Sequence, residues 1–420
     1  MPEARYRVLF VCSHPVQYTS PILRRLAQHP QLEFKVAYCS LRGAEANHDP
    51  EFGITVQWDV PLLEGYDWVE IANRGSGSEG FLGLYNPGLW RVIREGNFDA
   101  VVCLTGYIRA SFWITMARCR LSRVATLFGT DASSLDPRDA RKWKVPLKKI
   151  VWPRLFSLAD QVVVPSAASV EMMRGLGLSK DRITLTPFTV DNDWWSNRAA
   201  GVDRAAVRTS WGVAPHQIVV LFCAKLQAWK RPLDLLRAFS KARVPNAILV
   251  FAGEGPLRSQ LEFEAKELGI STNVRFLGFI NQSRLPAVYS SSDLFVLPSE
   301  YDPCPVVVCE AMLCGLPVLL SSEIRGRFDL VRSGITGDIF CCGEVEELAA
   351  ALRHVLNDRE YLAALGKNAR ERMITWSPKE SVSAIVDAIS LAVQHRRGIN
   401  VRRSTGVTED TASSGGAKKL

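Results

Sequence analysis

The sequence predicts an α/β fold of two domains, each a parallel sheet covered by helices, which face each other across a central cleft. Its 420 residues exceed what one hydrophobic core usually supports, so two domains of about 200 residues are the natural division. Short apolar runs alternate with helical patterns through both halves, which is typical of parallel sheets. Ligands of such sheets bind at the carboxyl ends of the strands, so the turns after the strands are the candidate functional segments.

Six apolar runs in each half predict the strands of the two sheets. In the first half they cover residues 7–12, 33–38, 100–104, 124–128, 161–164 and 183–186, with helices at 20–28 and 167–175. In the second half they cover residues 218–224, 247–252, 274–277, 294–297, 317–320 and 336–340, with helices at 232–242, 256–268, 283–290 and 305–314. Three further helical patterns follow, at 344–357, 361–373 and 378–396.

The segment between the halves predicts the domain boundary. Residues 187–197 are polar, contain proline and asparagine, and follow neither a helical nor a strand period. We therefore predict an N-terminal domain over 1–187, an interdomain hinge over 188–200 and a C-terminal domain over 201–376. Asp191 and Asp193 superficially match an Asp-x-Asp metal motif, but their place in the hinge favours a linker. Residues 397–420 lack apolar periodicity and predict a disordered tail.

Composition limits the class of protein and its compartment. The net charge of +8 favours an anionic partner, but the chain carries no recognisable nucleic-acid-binding module. The ten cysteines lack zinc-site spacing and several lie in apolar runs, which favours a reducing cytoplasm without a metal site. The longest apolar stretch, residues 306–320, is interrupted by Glu310, Gly315 and Pro317 and cannot span a membrane. Any membrane contact would be peripheral.

A strand-to-helix turn in the second half carries two carboxylates. Within residues 297–312, Asp302 lies in the loop and Glu310 eight residues later on the helix. A helix start offers N–H groups and a positive dipole to a diphosphate, and carboxylates accept hydrogen bonds from hydroxyls at either end of such a ligand. This pattern indicates a nucleotide sugar, contacted at the helix start by Cys304, Val306 and Val307. The alternative is an N-terminal Asp with a solvated Glu, although apolar neighbours of Glu310 favour burial.

Two further turns at strand ends carry candidate ligand contacts. Lys225 and Lys230 follow the 218–224 strand and could stabilise negative charge on a departing diphosphate. A solvated basic loop is the alternative. Gly253 and Gly255 follow the next strand and would let the backbone approach a ligand, although Arg258 occupies the third glycine position of a dinucleotide fingerprint.

The first strand-to-helix turn of the chain contains no glycine, which argues against a Rossmann dehydrogenase. His14 and Gln17 lie in this turn. His14 could donate a hydrogen bond to a phosphate or hydroxyl across the cleft. A structural role is the alternative for a single loop histidine.

With these residues assembled, the chain resembles the family 4 glycosyltransferases, retaining enzymes of GT-B fold that use nucleotide sugars without a bound metal. The resemblance is strongest over residues 218–340 and implies two Rossmann-like domains. It implies that Asp302 contacts the sugar hydroxyls, that Glu310 contacts the ribose hydroxyls, and that Lys225 and Lys230 hold the diphosphate. It also matches the two glycines, and it implies that the backbone near Phe276 and Leu277 reads the base.

The resemblance extends to the connections between the domains. Residues 187–191 resemble the family hinge, and residues 376–378 resemble the point where a C-terminal helix, here 377–396, crosses back to the N-terminal domain.

Three departures from the family pattern alter the expected contacts. Asp302 stands where Glu is commoner, and Pro303 and Pro305 remove backbone donors. Where many members have a histidine after an N-domain strand, this chain has a Phe-Gly-Thr-Asp sequence, in which Thr130 or Asp131 could replace the usual sugar contact.

The hypothesis for function is transfer of a hexose-type sugar from a nucleotide donor to a glycan, lipid-linked or small-molecule acceptor, in cell-surface or exopolysaccharide biosynthesis. Donor would bind the C-terminal domain and acceptor the N-terminal one, and closure would exclude water. The alternatives are a nucleotide-sugar epimerase of the same fold and a non-catalytic GT-B-like binding subunit. Residues 138–154 mix basic and apolar side chains, typical either of a surface on the inner face of an anionic membrane or of a solvated helix.

Overall fold

The computed structural model describes residues 5–49, 53–136, 141–303 and 305–398, and contains two parallel sheets, one in each half of the chain. The α/β prediction of two Rossmann-like domains is therefore confirmed. Each predicted strand is present within one residue of its predicted bounds. The predicted tail lies almost wholly outside the described residues.

The N-terminal sheet has seven parallel strands in the order β5-β2-β1-β6-β7-β8-β9. Its strands are apolar on both faces, which is typical of a sheet covered by helices on each side. Strands β3 and β4 form a separate antiparallel pair. The strands of this half are β1 (Tyr6–Cys12), β2 (Leu32–Tyr38), β3 (Asn47–Asp49), β4 (Ile54–Val56), β5 (Trp68–Glu70), β6 (Ala100–Cys103), β7 (Ala125–Gly129), β8 (Gln161–Val164) and β9 (Ile183–Leu185).

The C-terminal sheet has six parallel strands in the order β12-β11-β10-β13-β14-β15. Strands β10, β11, β13 and β14 are buried almost throughout and form the centre of one large apolar core. The strands of this half are β10 (Ile218–Cys223), β11 (Ala247–Ala252), β12 (Val274–Gly278), β13 (Leu294–Leu297), β14 (Val318–Ser321) and β15 (Gly337–Phe340).

Helices cover both faces of the two sheets. In the N-terminal half they are α1 (Ser20–Ala27), α2 (Gly88–Glu95), α3 (Ala110–Ser122), α4 (Lys144–Phe156) and α5 (Ala167–Gly175). In the C-terminal half they are α6 (Asn192–Ala200), α7 (Arg204–Ser210), α8 (Pro232–Ala242), α9 (Arg258–Glu267), α10 (Leu285–Ser290), α11 (Val306–Leu313), α12 (Arg327–Leu330), α13 (Val345–Leu356), α14 (Arg359–Arg372) and α15 (Pro378–Arg396).

The segment predicted as an irregular hinge contains helix α6. The Asp191 side chain caps this helix by accepting a hydrogen bond from the Trp194 backbone N–H at 3.3 Å. Trp195, in the same helix, is almost fully buried in the C-terminal core. The irregular part is therefore confined to the few residues between β9 and α6, and Asp191 has a structural role as a helix cap.

Helix α15 packs against the N-terminal sheet although it is last in sequence. It begins with a capping box between Ser377 and Glu380, and its apolar face lies in the same cluster as β1 and β2. Near its end Arg396 pairs with the buried Asp160 carboxylate at 2.7 Å. The chain thus crosses between the two domains twice.

Candidate active site

The order of the C-terminal strands places a ligand-binding crevice at one edge of the sheet. Strand β10 lies between β11 and β13, so the connections on its two sides run in opposite directions. In open α/β sheets, ligands bind at the carboxyl ends of the strands beside such a switch point. The loops that follow β10 and β13 carry Lys225, Lys230 and Asp302, which the sequence singled out.

Lys230 and Asp302 form a buried ion pair between these two loops. Lys230 Nζ lies 2.6 Å from Asp302 Oδ2, and the two side chains are only 10% and 14% exposed. The same ammonium lies 4.2 Å from the centre of the Trp229 ring. A desolvated pair of this kind is held in one geometry, and removing one partner leaves an uncompensated charge. Lys225, after the same strand, is half-buried.

Arg231 ties the two loops together from the other side. Its guanidinium pairs with Asp234 at 2.5 Å and with Glu300 at 2.6 Å, and the Glu300 backbone N–H donates to the Trp229 carbonyl at 2.8 Å. Arg231 has a φ of 52°, in the left-handed region that side chains rarely adopt. At this turn in the backbone the side chains of Lys230 and Arg231 point in different directions, Lys230 to Asp302 and Arg231 to Asp234 and Glu300.

Glu310 lies at the same edge of the sheet, in the interior. Its side chain accepts hydrogen bonds from Gln282 Nε2 at 3.2 Å and from the Tyr289 hydroxyl at 2.9 Å, and the residue is 4% exposed. Burial raises the pKa of the Glu310 carboxyl to about 7, while the two hydrogen bonds oppose that shift. Tyr289 also contacts Cys223, the last residue of β10. Glu310 and Lys230 are therefore both placed around the end of β10, without direct contact.

Gly253 and Gly255 allow one loop to pack on another. A side chain at Gly253 would lie 2.0 Å from the Ala224 carbonyl oxygen, and one at Gly255 would lie 2.7 Å from the Leu226 carbonyl oxygen. Their φ values of 154° and 153° also favour glycine. The close approach is to the loop that carries Lys225, so the glycines first support the protein's own loop packing.

Phe276 and Leu277, predicted near the base, are half-buried in β12. The Phe276 ring stacks on Phe251 with centroids 5.2 Å apart, and the Arg258 guanidinium lies 4.6 Å from its centre. Phe276 is thus already enclosed by protein on at least two sides.

The first residues of α11 are available at the helix start. Val306 and Val307 are half-buried, and Pro305 precedes the helix as its N-cap instead of lying inside it as predicted. Cys304, also predicted as a contact, lies outside the described residues. The N–H groups of the first helical turn lack intrahelical acceptors, which makes this end suited to an anion.

The N-terminal candidates lie at the carboxyl edge of the other sheet. His14 remains accessible to solvent and contacts Ser13 Oγ through Nδ1 at 3.0 Å, while desolvation by surrounding loops and the nearby Arg42 lower its pKa. Gln17 lines a cavity between the domains, and its Oε1 accepts no hydrogen bond from the part of the chain described.

Thr130 and Asp131, the candidate replacements for the usual histidine, follow β7. Thr130 Oγ1 accepts a hydrogen bond from the Ala132 backbone N–H at 3.2 Å, and Asp131 is exposed. The described contacts do not join either residue to Lys230, Asp302 or Glu310.

Sequence reasoning missed several residues of the site. Gln282 and Tyr289 hold Glu310, and Trp229, Arg231 and Glu300 hold the Lys230 loop. Gln282 follows strand β12, so the rule that ligand sites gather at strand ends could have indicated it. Tyr289 carries no local signal, because its role depends on the packing of α10 against α11.

Within the described ranges, no three His, Cys, Asp or Glu side chains are grouped so that they could hold a metal ion. None of the helices described has the length and apolar character needed to cross a bilayer.

Comparison with known proteins identifies the family. A family model described as "Glycosyl transferases group 1" matches residues 203–372, and one described as "Glycosyl transferase 4-like domain" matches residues 4–189. A D-inositol 3-phosphate glycosyltransferase of Nocardia farcinica is 30% identical over 311 residues, which cover 70% of this chain and 67% of that protein. The Arabidopsis thaliana sulfoquinovosyl transferase SQD2 is 30% identical over 239 residues, or 56% of this chain and 45% of that protein.

Solved structures agree on the fold. The crystal structure of Anabaena HepE in complex with UDP and glucose has a TM-score of 0.69 at 19% identity, covering 92% of this chain and 100% of that chain. The structure of WaaG, a glycosyltransferase involved in lipopolysaccharide biosynthesis, has a TM-score of 0.60 at 16% identity, covering 95% and 100%. The chain therefore belongs to the family 4 glycosyltransferases, with the GT-B fold.

Proposed function

We propose that the chain is a retaining glycosyltransferase that moves a hexose-type sugar from a nucleoside-diphosphate donor to a glycan, lipid-linked or small-molecule acceptor. The observation that carries this proposal is the placement of Lys230, Asp302 and Glu310 around the end of β10, beside the switch point of the C-terminal sheet. The UDP and glucose in the HepE structure support a nucleotide sugar as donor.

The side chains suggest how the donor is bound and cleaved. Glu310 accepts hydrogen bonds from the ribose hydroxyls, and the start of α11 with Lys225 and Lys230 receives the diphosphate. As the sugar C1–O bond breaks, the bonding electrons pass to a phosphate oxygen, and the lysines stabilise the charge that develops there. Lys230 then neutralises phosphate instead of Asp302, which becomes free to accept hydrogen bonds from sugar hydroxyls.

Retention follows if the acceptor attacks from the side of the leaving group. The acceptor oxygen bonds to C1 on the face that the phosphate leaves, and its proton passes to the departing phosphate oxygen. This front-face route requires no nucleophilic carboxylate. It also assigns charge stabilisation to lysines and backbone N–H groups, with no metal in the proposed route.

The acceptor side of the proposal is carried by exposed apolar residues on α4. Trp143, the N-cap of α4, is 62% exposed, and Leu147 and Ile150 within the helix are 50% and 60% exposed, whereas Trp152, Leu155 and Phe156 are buried. The sequence from 141 to 159 carries six basic and no acidic residues. Residues 138–140 of the predicted membrane segment lie outside the described ranges. A peripheral site on an anionic inner-membrane face, where an acceptor lipid and cell-surface polysaccharide synthesis would meet the enzyme, fits this combination.

A panel of radiolabelled UDP-, GDP-, ADP- and dTDP-hexoses tests the proposal. Incubation with the protein and a membrane or glycan extract should give one labelled product, or slow hydrolysis of one donor when no acceptor is supplied. NMR of the new linkage should show the donor's anomeric configuration. An inverted linkage would contradict retention, an epimerised donor would identify the epimerase, and binding without turnover would identify a binding subunit.

Lys230→Ala tests the role of the lysine in the chemical step. We expect kcat to fall on the order of 100-fold or more, since a preorganised group facing developing charge contributes on this scale. The exposed Lys266→Ala on α9 is the control. Thermal unfolding should show that both variants are folded, and unchanged turnover in Lys230→Ala would remove this assignment.

A further inference from the structure

A short loop of the N-terminal domain is hydrogen-bonded to the C-terminal domain beside the donor site. Asp59 accepts hydrogen bonds from the Ser283 backbone N–H at 2.9 Å and from the Ser283 hydroxyl. Asn281 Nδ2 donates to the Gln57 carbonyl at 2.6 Å, and Asn281 Oδ1 accepts from the Asp59 N–H at 3.4 Å. The rings of Trp58 and Phe279 pack alongside, with centroids 6.2 Å apart.

The turn held by this loop carries Gln282. Asn281 Oδ1 also caps the following short helix by accepting from the Gln282 N–H at 2.8 Å. Gln282 is 7% exposed, and its side-chain amide donates to Glu310 Oε1. The residues on either side of Gln282 are thus fixed by the N-terminal domain, while Gln282 itself contacts the carboxylate assigned to the ribose.

Gln282 lies beside a space between the two domains. A cavity of about 70 Å³ lies between the domains and is lined in part by Gln17, Val60, Trp194 and Gln282. Each carboxylate oxygen has two lone pairs, so Glu310 can accept a hydrogen bond from a ribose hydroxyl while Gln282 stays bound to it. Donor binding and interdomain contact therefore share one side chain.

We propose that Asp59 and Asn281 form an interdomain latch that holds Gln282 as a positioning residue for Glu310, so that contact with the N-terminal domain sets how strongly the donor nucleotide is bound. This inference rests on the proposed function, in which Glu310 binds the ribose. It assigns to the N-terminal domain a role in the donor site besides any role in acceptor binding.

The latch predicts a particular pH dependence, because Glu310 titrates near neutrality. The hydrogen bond from Gln282 favours the ionised form of Glu310 and lowers its pKa against the effect of burial. The other titratable groups known to face it are the Tyr289 hydroxyl and the thiols of Cys223, Cys309 and Cys314. Burial raises the pKa of each of these four groups, to about 12 for the thiols, so they stay neutral where Glu310 titrates.

The experiment measures binding of UDP, GDP and ADP by calorimetry from pH 5.5 to 8.5 in the full chain. Wild-type affinity for the preferred nucleotide should rise with pH and level off above the Glu310 pKa. In Asp59→Asn the pH at which this rise in affinity is half complete, the midpoint, should be higher than in the wild type. The affinity at pH 6.5 should therefore fall by roughly 3- to 10-fold, the change expected when the pKa of Glu310 rises by half to one unit. Gln282→Met should shift the midpoint in the same direction, and adding Asp59→Asn to it should have no further effect.

Asp329→Asn is the matched control. Asp329 also joins the domains, by accepting a hydrogen bond from the Ala167 N–H at 3.2 Å, but it does not contact the Gln282 turn. The midpoint of the pH dependence of nucleotide affinity in Asp329→Asn should equal that of the wild type. Ser283→Ala, which removes only the hydroxyl contact, serves as a milder variant and should move the midpoint in the same direction as Asp59→Asn.

The outcomes separate the latch from the proposed function. Equal midpoints in wild type, Asp59→Asn and Ser283→Ala would overturn the latch, and so would an equal shift in Asp329→Asn, which would indicate general loosening of the domains. Failure of the wild type to bind any nucleotide would contradict the proposed function and the latch with it. Nucleotide binding without any sugar transfer would contradict the transferase proposal and leave the latch standing.

Discussion

Glu310 is a carboxyl group inside an apolar core, and its burial destabilises the folded state by an amount that depends on pH. Its neighbours on α11 are buried, and among the described residues two side chains, Gln282 and Tyr289, give hydrogen bonds that replace the water the carboxylate would have in solution. The pKa is raised to about 7 in the folded state, from 4.5 in its ordinary state. Between these values the folded protein holds a proton that the unfolded chain releases.

We therefore expect the free energy of unfolding to fall as pH rises from about 4.5 to 7 by on the order of 3 kcal/mol through this residue alone. The stabilisation that the proton on Glu310 gives to the folded state is fully present below pH 4.5 and is lost as the pH rises through the pKa of Glu310 in the folded protein. Glu310→Gln should remove this slope. Urea unfolding of the variant across pH 5–8, with exposed Glu262→Gln as control, measures the difference, and parallel curves for all three proteins would refute it.

Arg231 combines backbone strain with two ion pairs. A non-glycine residue in the left-handed region costs roughly 1–2 kcal/mol, and the pairs with Asp234 and Glu300 offset part of this. The strain is at the point where the chain leaves Lys230 and enters α8, so it is stored beside the candidate catalytic group.

Comparing Arg231→Gly with Arg231→Ala separates the effect of backbone strain on stability from the effect of the ion pairs. Both variants lose the ion pairs, but only Ala retains the left-handed strain, so we expect Arg231→Gly to be about 1 kcal/mol more stable than Arg231→Ala. Both should lower kcat more than they raise the donor KM, since the Lys230 loop would lose its tie to Glu300. Denaturant unfolding and initial rates test this, and a less stable glycine variant would show that φ at residue 231 changes on substitution.

Helix α4 has one apolar face that is buried in the protein and a second that is exposed. Trp152, Leu155 and Phe156 are buried against the N-terminal sheet, whereas Leu147 and Ile150 are exposed on either side of Lys148 and Lys149. An exposed apolar stripe with a wholly basic flank is typical of a helix that lies in the interface of an anionic bilayer.

We expect the protein to sediment with vesicles of phosphatidylcholine and phosphatidylglycerol more than with phosphatidylcholine alone. Trp143→Ser with Ile150→Ser should reduce binding at least tenfold, since burial of each such side chain contributes about 1.5–3 kcal/mol. Leu121→Ser, which removes a 68% exposed leucine from α3, is the control. Binding that is insensitive to anionic lipid would argue for a solvated helix.

The elements show where sequence reasoning succeeds and where it stops. The twelve predicted strands lie within a residue of the observed ones because continuous runs of Val, Ile and Leu, ended by polar turns, are a local signal. The three-residue strands β3, β4 and β5 were not predicted, because they are too short to give such a run. Helix α6 was missed because it depends on burial of Trp195 in a core formed by distant residues. Lys230 and Asp302 could be predicted from their positions after strands, but Asp59 reaches Ser283 across 224 positions of sequence and carries no local signal.

The two crossings between the domains lie side by side. Trp376 Nε1 donates to the Phe188 carbonyl at 3.2 Å, and Asn192 Nδ2 donates to the Met373 carbonyl at 2.8 Å. We expect relative motion of the domains to be mainly rotation about this paired connection. A double connection gives a more defined closing path than a single flexible linker.

The N-terminal core depends on α15. Six of its side chains are buried there, namely Val382, Val386, Ala388, Ile389, Ala392 and Val393. A chain ending after residue 376 should lose on the order of 10 kcal/mol, comparable to the whole stability of a domain. A chain ending after residue 398 should keep the melting temperature of the full protein. Calorimetry and soluble yield of the two truncations decide this, and a stable N-terminal domain in the shorter chain would contradict it.

Because α15, the last helix, covers one face of the N-terminal sheet, the C-terminal domain is inserted in sequence within the N-terminal one. During synthesis, residues 201–376 leave the ribosome before the segment that finishes the earlier domain. The half that is translated first is therefore the half that matures last. We expect the nascent chain to expose the apolar residues of β7 and β8 that α15 covers throughout that interval, and to bind chaperones through this domain.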